Sequence, residues 1–274
     1  MTTQKVLFFD IDGTLTDMMG QIPASTLRAL SLCKRAGHRI LLCSGRPKSE
    51  IHANVLAPGF DGMVASAGAY VELDGRVLHQ HCMDVAELSG LLDFFHQNGI
   101  LYMLQAKEYI ETDPQVSEKL IRVLEEQLGL SKERIERIFG KMTLNAKCAL
   151  DPRIEKLVYY ESPYRVRDLA ARISPYFQVT GFSYGGEDET KGEITIAGET
   201  KASGMQVILD ALHLTREETI AFGDGPNDIE MMRYAGISVA MGNGREMIKE
   251  MAHLVTGAVN EDGIYRACET LGLF

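Results

Sequence analysis

Two aspartates separated by one residue, Asp10 and Asp12, stand where a short apolar run ends, in Asp10-Ile11-Asp12-Gly13-Thr14. The run before them, Lys5-Val6-Leu7-Phe8-Phe9, is rich in β-formers and reads as a strand buried on both faces, hence as a central strand of a parallel sheet. Ligands of such sheets bind at the carboxyl edge of the strands. Alternate residues of an extended chain share a face, so Asp10 and Asp12 can address one pocket while Gly13 lets the chain turn away sharply. Carboxylates so placed can divide the labour, one attacking and the other moving protons. An everyday Asp-Gly turn is the plain alternative.

Three more segments have the same form. Leu41-Leu42-Cys43-Ser44-Gly45-Arg46-Pro47 is an apolar strand running into a hydroxyl and a glycine. The Ser44 hydroxyl and the Gly45 amide can both donate to a phosphate oxygen, although Ser44 would serve equally as a helix N-cap. Lys201 opens a helical pattern in Glu199-Thr200-Lys201-Ala202-Ser203-Gly204, where the helix dipole repels a cation. A nearby anion would explain that placement, and a solvated surface lysine is the alternative. In Ala221-Phe222-Gly223-Asp224-Gly225-Pro226-Asn227-Asp228, Asp224 and Asp228 lie across a strand-to-helix turn and can both face Asp10. Their hard oxygens suit magnesium, and the Asn227 amide remains able to donate to phosphate. A helix cap with a Gly-Pro turn would use the same residues without chemistry. The bland readings must each hold independently, whereas one phosphate site at one sheet edge accounts for all four segments.

The elements that must carry these residues alternate. A helical pattern opens at Pro23 and Ser25 and ends at Gly37, a strand covers Arg39 to Cys43, and a helix is expected near Pro47. A third strand is expected around Met63 to Ser66, and Tyr70 to His81 reads as a hairpin about Asp74-Gly75. The alternation returns with a helix from Lys201 to Leu212, a strand from Thr219 to Gly223, a helix from Asn227 to Tyr234 and a strand from Ile237 to Ala240. Between the two halves, about a hundred residues break the pattern, far more than a connection needs, so they form a domain of their own. Helices are expected there near Val85 to Gln97, Gln115 to Leu128 and Arg165 to Ile173, with strands near Leu101, Lys156 to Tyr160 and Phe177 to Tyr184. The expected architecture is an α/β chain, a Rossmann-like parallel sheet core over residues 1–82 and 190–274 with an inserted α+β domain over residues 83–189.

Composition narrows the class. Hydrophobic residues make up 45% and charged residues 24%, ordinary for a globular protein, and no apolar run approaches the roughly 18 residues of a membrane span. The formal charge of −10 argues against nucleic acid or an anionic membrane as the main partner and leaves room for small ligands in a locally positive pocket, here a small phosphorylated metabolite if the four segments form one phosphate site. The first residues lack the order of a secretory signal, so a cytoplasmic location is expected; the chain is expected to be a monomer or weak homo-oligomer. Cys33, Cys43, Cys82, Cys148 and Cys268 are scattered without a CxxC pair and read as free thiols. His79 and His81 beside Cys82 lack a fourth ligand and read as an exposed strand, and Met231, Met232 and Met241 as core filling.

The order Asp-x-Asp-Gly-Thr, strand-end Ser44, helix-start Lys201 and Gly-Asp-x-x-Asn-Asp resembles the four motifs of the haloacid dehalogenase superfamily. The long insertion is similar to its C2-type cap, and Glu193-Ile194-Thr195-Ile196 before Lys201 resembles the Cof-like branch. Val239-Ala240-Met241-Gly242-Asn243 and Asn260-Glu261-Asp262-Gly263-Ile264 resemble that branch's closing motifs. The resemblance implies a magnesium-dependent phosphatase in which Asp10 forms an aspartyl-phosphate and Asp12 acts first as acid and then as base. It implies magnesium held by the Asp10 and Asp224 carboxylates and the Asp12 carbonyl, with Asp228 close by or reaching through water. Ser44, Gly45, Asn227, Lys201 and the Ile11 amide would surround the phosphoryl group, and Arg46 would sit at the rim. The cap would select the substrate, a sugar phosphate first, with pyridoxal phosphate or flavin mononucleotide as further candidates; the loop Gly185 to Glu189 is a candidate for contacting it, although an acidic loop is more often just solvated. The branch commonly has asparagine where this chain has Ala67, and glycine where it has Ala202; the first departure bears on the substrate side of the pocket. A phosphomannomutase-like phosphotransferase is one other reading. A non-catalytic phosphometabolite sensor is another, against which the intact set of Asp10, Asp12, Lys201 and Asp224 speaks.

Overall fold

The apolar run at the start of the chain is strand β1 (Val6–Phe9), buried throughout as its lack of alternation requires. It joins β2 (Arg39–Cys43), β3 (Gly62–Ala65), β4 (Tyr70–Leu73), β5 (Arg76–Gln80), β12 (Thr219–Gly223), β13 (Ile237–Ala240) and β14 (Leu254–Val255) in an eight-stranded sheet ordered β14-β13-β12-β1-β2-β3-β4-β5. Pairing is parallel from β14 to β3 and antiparallel for the two hairpin strands beyond it. The chain runs outward from β1 in one direction through β2 and β3, and returns on its other side through β12 and β13, which makes β1 the switch point of the sheet. Phe9 lies opposite both Leu42 and Phe222, so the residues after β1, β2 and β12 emerge together at one edge.

The computed structural model describes residues 4–129, 131, 133, 135, 142–182 and 189–274, and the chain divides into two compact units. The first holds Met1–Arg46, Ile51–Gln80 and Glu199–Phe274. Its helices are α1 (Ala24–Arg35), α2 (Ala53–Leu56), α6 (Lys201–Leu212), α7 (Ile229–Tyr234), α8 (Glu246–Met251) and α9 (Gly263–Thr270). Leu7, Phe9, Leu42 and Phe222 pack on one face of the sheet with Leu30 and Cys33 of α1 and Ile264 and Cys268 of α9. Phe8, Leu41 and Ala221 pack on the other with Met205 and Ile208 of α6 and Met231 and Met232 of α7. The methionines fill core, as expected, Met241 included. Among the described residues no helix is long and apolar enough to cross a membrane.

The second unit holds Pro47–Glu50 and His81–Gly198. Strands β6 (Leu101–Ala106), β7 (Ile110–Thr112), β8 (Met142–Leu144), β9 (Ile154–Tyr160), β10 (Phe177–Thr180) and β11 (Gly192–Ile196) form a six-stranded sheet ordered β10-β11-β9-β6-β7-β8. Helices α3 (Val85–Asn98), α4 (Pro114–Leu128) and α5 (Val166–Ala170) supply Leu88, Leu92, Phe95, Leu120, Leu124 and Leu169 to its core. This is the expected α+β arrangement on a mainly antiparallel sheet.

Several boundaries differ from the sequence reading. The return to the first unit falls after Gly198 rather than at residue 190, because β11 pairs antiparallel with β9 and β10 and so belongs to the inserted sheet. The helix expected near Pro47 is one 3-10 turn, Lys48–Glu50, drawn to β6 by Ser49 Oγ donating to the Ala106 carbonyl at 2.9 Å and Gln105 Nε2 donating to Glu50 at 2.5 Å. The segment Asn227 to Tyr234 starts as a 3-10 turn, Pro226–Asp228, before α7. The strand expected to reach Tyr184 ends at Thr180, and residues 183–188, most of the proposed contact loop Gly185 to Glu189, lie outside the described residues.

His38 ties the two ends of the first unit together. Its Nδ1 accepts the Lys5 amide at 3.0 Å, which leaves the ring proton on Nε2 to be donated to the Leu273 carbonyl 3.1 Å away. The ring is buried, which lowers its pKa and keeps it neutral in the fold. The unfolded chain takes up a proton below about pH 6.5, so this contribution to stability is present above that value and is lost as the pH falls. Urea midpoints measured at about pH 7.5 and about pH 5.5 should therefore separate less in a His38→Gln variant, whose amide can copy both bonds without titrating, than in the native chain.

Candidate active site

The chain leaves β1 at Asp10 and coils tightly, with Leu15 N–H donating to the Asp10 carbonyl at 3.2 Å and Thr16 N–H to the Ile11 carbonyl at 2.9 Å. Gly13 has φ +81°, and a Cβ there would strike the Asp224 carboxylate, so both the turn and the close approach require glycine. Thr14 Oγ1 donates to Asp224 Oδ1 at 3.0 Å. Asn243 Nδ2 donates to the Gly13 carbonyl at 2.8 Å while its Oδ1 accepts the Val259 amide at 2.9 Å. The first and last motifs are thus fastened to each other through Asp224 and to the C-terminal segment through Asn243.

Beyond β12 the chain turns at Asp224, and Asp228 closes that turn, its Oδ2 accepting the amides of Asp224 and Gly225 at 3.0 Å each. Its Oδ1 accepts from Lys201 Nζ at 2.6 Å, and the same ammonium donates to Asp10 Oδ1 at 2.5 Å. Lys201 is 2% exposed, Asp10 4% and Asp228 0%, which rules out the reading of Lys201 as a solvated lysine. The lysine heads α6 because Thr200 caps that helix reciprocally with Ser203: Thr200 Oγ1 accepts the Ser203 amide at 3.0 Å and Ser203 Oγ accepts the Thr200 amide at 2.9 Å. The anions that a cation at a helix start calls for are Asp10 and Asp228. Ala202 follows in the first turn, where alanine favours the helix over glycine by about 1 kcal/mol. Asn227 is exposed on the 3-10 turn beside Asp228.

At the end of β2 the Ser44 amide donates to the Val64 carbonyl at 2.8 Å, continuing the sheet. Ser44 Oγ accepts the Arg46 amide at 3.1 Å, which leaves the hydroxyl proton for another acceptor. Gly45 lies between them. The Arg46 guanidinium engages the protein itself, its Nε and Nη2 clamping Asp12 at 2.7 and 2.6 Å. The Asp12 side chain is 54% exposed, so the clamp is an orienting device more than a source of stability. The structure therefore brings Asp10, Asp224, Asp228 and Lys201 into direct contact or close approach, and joins Arg46 to Asp12. Sequence reasoning assigned no role to Thr14 and Asn243, although both lie in quoted motifs; a hydroxyl after Asp-x-Asp-Gly and an amide after a strand-end glycine were the available signals.

The charges in the first cluster do not balance. Asp10, Asp224 and Asp228 each offer an oxygen within 4.8 Å of the others, facing one ammonium. Burial, followed by Asp228, raises the Asp10 carboxyl well above its usual range despite Lys201, and burial with Asp228 pushes Asp224 up to about 6. Burial alone would lower Lys201, but Asp10 and Asp228 hold it above the ordinary lysine value. A hard divalent cation fits this donor set, which is all carboxylate and carries excess negative charge. Lys201→Ala would strand two buried carboxylates and should lower the unfolding free energy by about 3–5 kcal/mol, read from urea melts. Adding Asp10→Asn to that variant should restore part of the loss.

The comparisons agree with this geometry. The family model for haloacid dehalogenase-like hydrolase matches residues 7–268. The 5-amino-6-(5-phospho-D-ribitylamino)uracil phosphatase YitU of Bacillus subtilis (strain 168) is 47% identical over 97% of this chain and 96% of its own. Pyridoxal phosphate phosphatase YbhA of Escherichia coli (strain K12) is 25% identical over 96% of each chain. Among solved structures, a subclass IIB sugar phosphatase of the haloacid dehalogenase superfamily superposes with a TM-score of 0.80 at 28% identity, over 99% of this chain and 100% of that one. With its α/β core, its inserted α+β unit and its four motifs at one sheet edge, the chain belongs to the haloacid dehalogenase-like hydrolases, as a phosphatase of their Cof-like, subclass IIB branch.

Proposed function

We propose that the protein hydrolyses phosphomonoesters of small polyhydroxylated metabolites, sugar phosphates first, with magnesium as cofactor and Asp10 as covalent nucleophile. The observation that carries the reading is the buried Asp10–Lys201–Asp228 triad with Asp224 beside it. Lys201 engages Asp10 through Oδ1, which leaves Oδ2 to attack phosphorus. As the new bond forms, the ester bond to the leaving oxygen breaks, and Asp12 gives that oxygen a proton. Asp12 next takes a proton from a water that attacks the aspartyl-phosphate, the bond to Asp10 breaks, and inorganic phosphate leaves. To serve in either step Asp12 exchanges its contact with Arg46 for one with the leaving oxygen or the water, so the Arg46 fork holds it in reserve. The Ser44 hydroxyl, the Gly45 and Ile11 amides, the Asn227 amide and Lys201 surround the transferring oxygens and stabilise charge as it redistributes. The Asp10 and Asp224 carboxylates and the Asp12 carbonyl would hold magnesium, with Asp228 beside them, and a cation there would supply the positive charge that offsets repulsion between an anionic nucleophile and an anionic substrate.

The substrate class draws support from the names of two relatives, one acting on a phosphorylated ribityl compound and one on sugar phosphates, both of which place phosphate on a polyhydroxylated carbon chain. A small diffusible partner, rather than nucleic acid or membrane, is in keeping with the net charge of −10, and the protein works in the cytoplasm as a monomer or weak homo-oligomer.

Purified protein should hydrolyse p-nitrophenyl phosphate with magnesium and stop on chelation. Asp10→Ala should stay folded and lose on the order of 10³-fold or more in kcat, and undiminished turnover would refute the nucleophile assignment. With hexose 1-phosphate as substrate, free phosphate should appear; conversion to the 6-phosphate without it would assign a phosphotransferase instead.

A further inference from the structure

Beyond β3 the backbone does something that neither the fold nor the four motifs require. Ala65 is extended and Ala69 is right-handed, yet Ser66, Ala67 and Gly68 between them have φ of 49°, 55° and 113°. Residues with a Cβ rarely adopt that region, and two in succession persist only where their surroundings over-determine them.

The surroundings are parts of the catalytic site. Ser66 N–H donates to the Arg46 carbonyl at 2.8 Å, and Ala67 N–H donates to the Ser44 carbonyl at 3.1 Å. In a planar trans peptide the carbonyl and the following amide point in opposite directions, so fixing the Ser44 oxygen toward Ala67 turns the Gly45 N–H away from it. The left-handed turn thereby orients one of the phosphate-loop amides. On its other side Gly68 abuts the peptide of Thr200, where a Cβ would come within 2.8 Å of the Thr200 nitrogen and 2.7 Å of its carbonyl carbon. Thr200 caps α6 and so places Lys201. One three-residue turn touches both the loop that carries Ser44 and Gly45 and the helix start that carries Lys201.

We propose that Ser66-Ala67-Gly68 is a strained bracket that sets the position of the Ser44–Gly45 donors relative to Lys201, and that its members are positioning residues for phosphoryl transfer. The proposal rests on the phosphatase reading above. Ala67 is its adjustable member: it is half-buried, and its side chain need only tolerate the left-handed conformation.

A series at this position tests the bracket. Gly and Asn accept the left-handed region, Leu accepts it less readily than Ala, and Val least of all. For the full chain with p-nitrophenyl phosphate and magnesium, kcat per folded molecule should stay within about twofold of the native value in Ala67→Gly and Ala67→Asn, fall in Ala67→Leu, and fall by about tenfold or more in Ala67→Val, with KM little changed. Inhibition by vanadate, which reads the same donors, should weaken in step with kcat. The folded fraction is taken from circular dichroism, so a variant that folds poorly still reports, and Ala67→Leu carries the test if Ala67→Val does not fold. Constant kcat per folded molecule and constant vanadate inhibition across the folded variants, with only thermal stability changing, would overturn the bracket while leaving the phosphatase reading intact. Absence of turnover by the native chain would overturn both.

Discussion

The structure depends on a buried ammonium held between two carboxylates. Removing Lys201, Asp10 and Asp228 from water is expensive, and attraction in the interior offsets the desolvation only where geometry and additional hydrogen bonds are good. They are good here: Lys201 reaches Asp10 and Asp228 at 2.5 and 2.6 Å, and the second oxygen of Asp228 is satisfied by two backbone amides. An apolar trio of similar volume would give an equal or more stable core. On the proposed mechanism, what the charged trio provides is a nucleophile whose position is fixed from one oxygen while the other remains to react, together with a cation aimed at the place where phosphoryl charge would gather.

That triad imposes constraints outward. Asp10 can meet Lys201 only if β1 and the start of α6 are held in register, which the reciprocal Thr200–Ser203 cap and the tight contact of Gly68 on Thr200 provide. Asp224 can approach Asp10 only if nothing projects from residue 13, and Thr14 and Asn243 then hold the glycine turn from either side. The large apolar residues at the centre, Phe9 stacked on Phe222 at 4.6 Å, give β1 and β12 a common floor from which Asp10 and Asp224 rise. Core packing therefore acts on the chemistry through strand register.

The parts of this arrangement that were legible in the sequence are those encoded locally. An unbroken apolar run followed by Asp-x-Asp-Gly declares a buried strand and its functional edge, and the structure puts Asp10, Ser44 and Asp224 at that edge because β2 and β12 flank β1 in register. What failed was encoded by pairing between distant segments. Glu193-Ile194-Thr195-Ile196 looks like a strand leading into Lys201 and does lead there, but its partners are β9 and β10, which no local pattern reveals. The Arg46 fork on Asp12 was missed for a similar reason: an arginine after Ser-Gly advertises anion recognition, and no local pattern shows that Asp12 lies within its reach. The short strands β7 and β8 lack enough residues to show a period of two.

Ala67, where the branch commonly has asparagine, can be read in two ways. Read as a side chain, alanine for asparagine removes an amide from the neighbourhood of the pocket. The φ of 55° at this position gives a different reason for asparagine, which is among the few residues with a Cβ that enter the left-handed region readily. On that account the position constrains the backbone, and alanine is an allowed occupant. A side chain that the left-handed region excludes would then lower the rate of phosphoryl transfer for every substrate alike. A pocket residue would instead change the ranking of substrates, so a common factor in kcat across unrelated phosphomonoesters separates the two roles where the identity of the side chain does not.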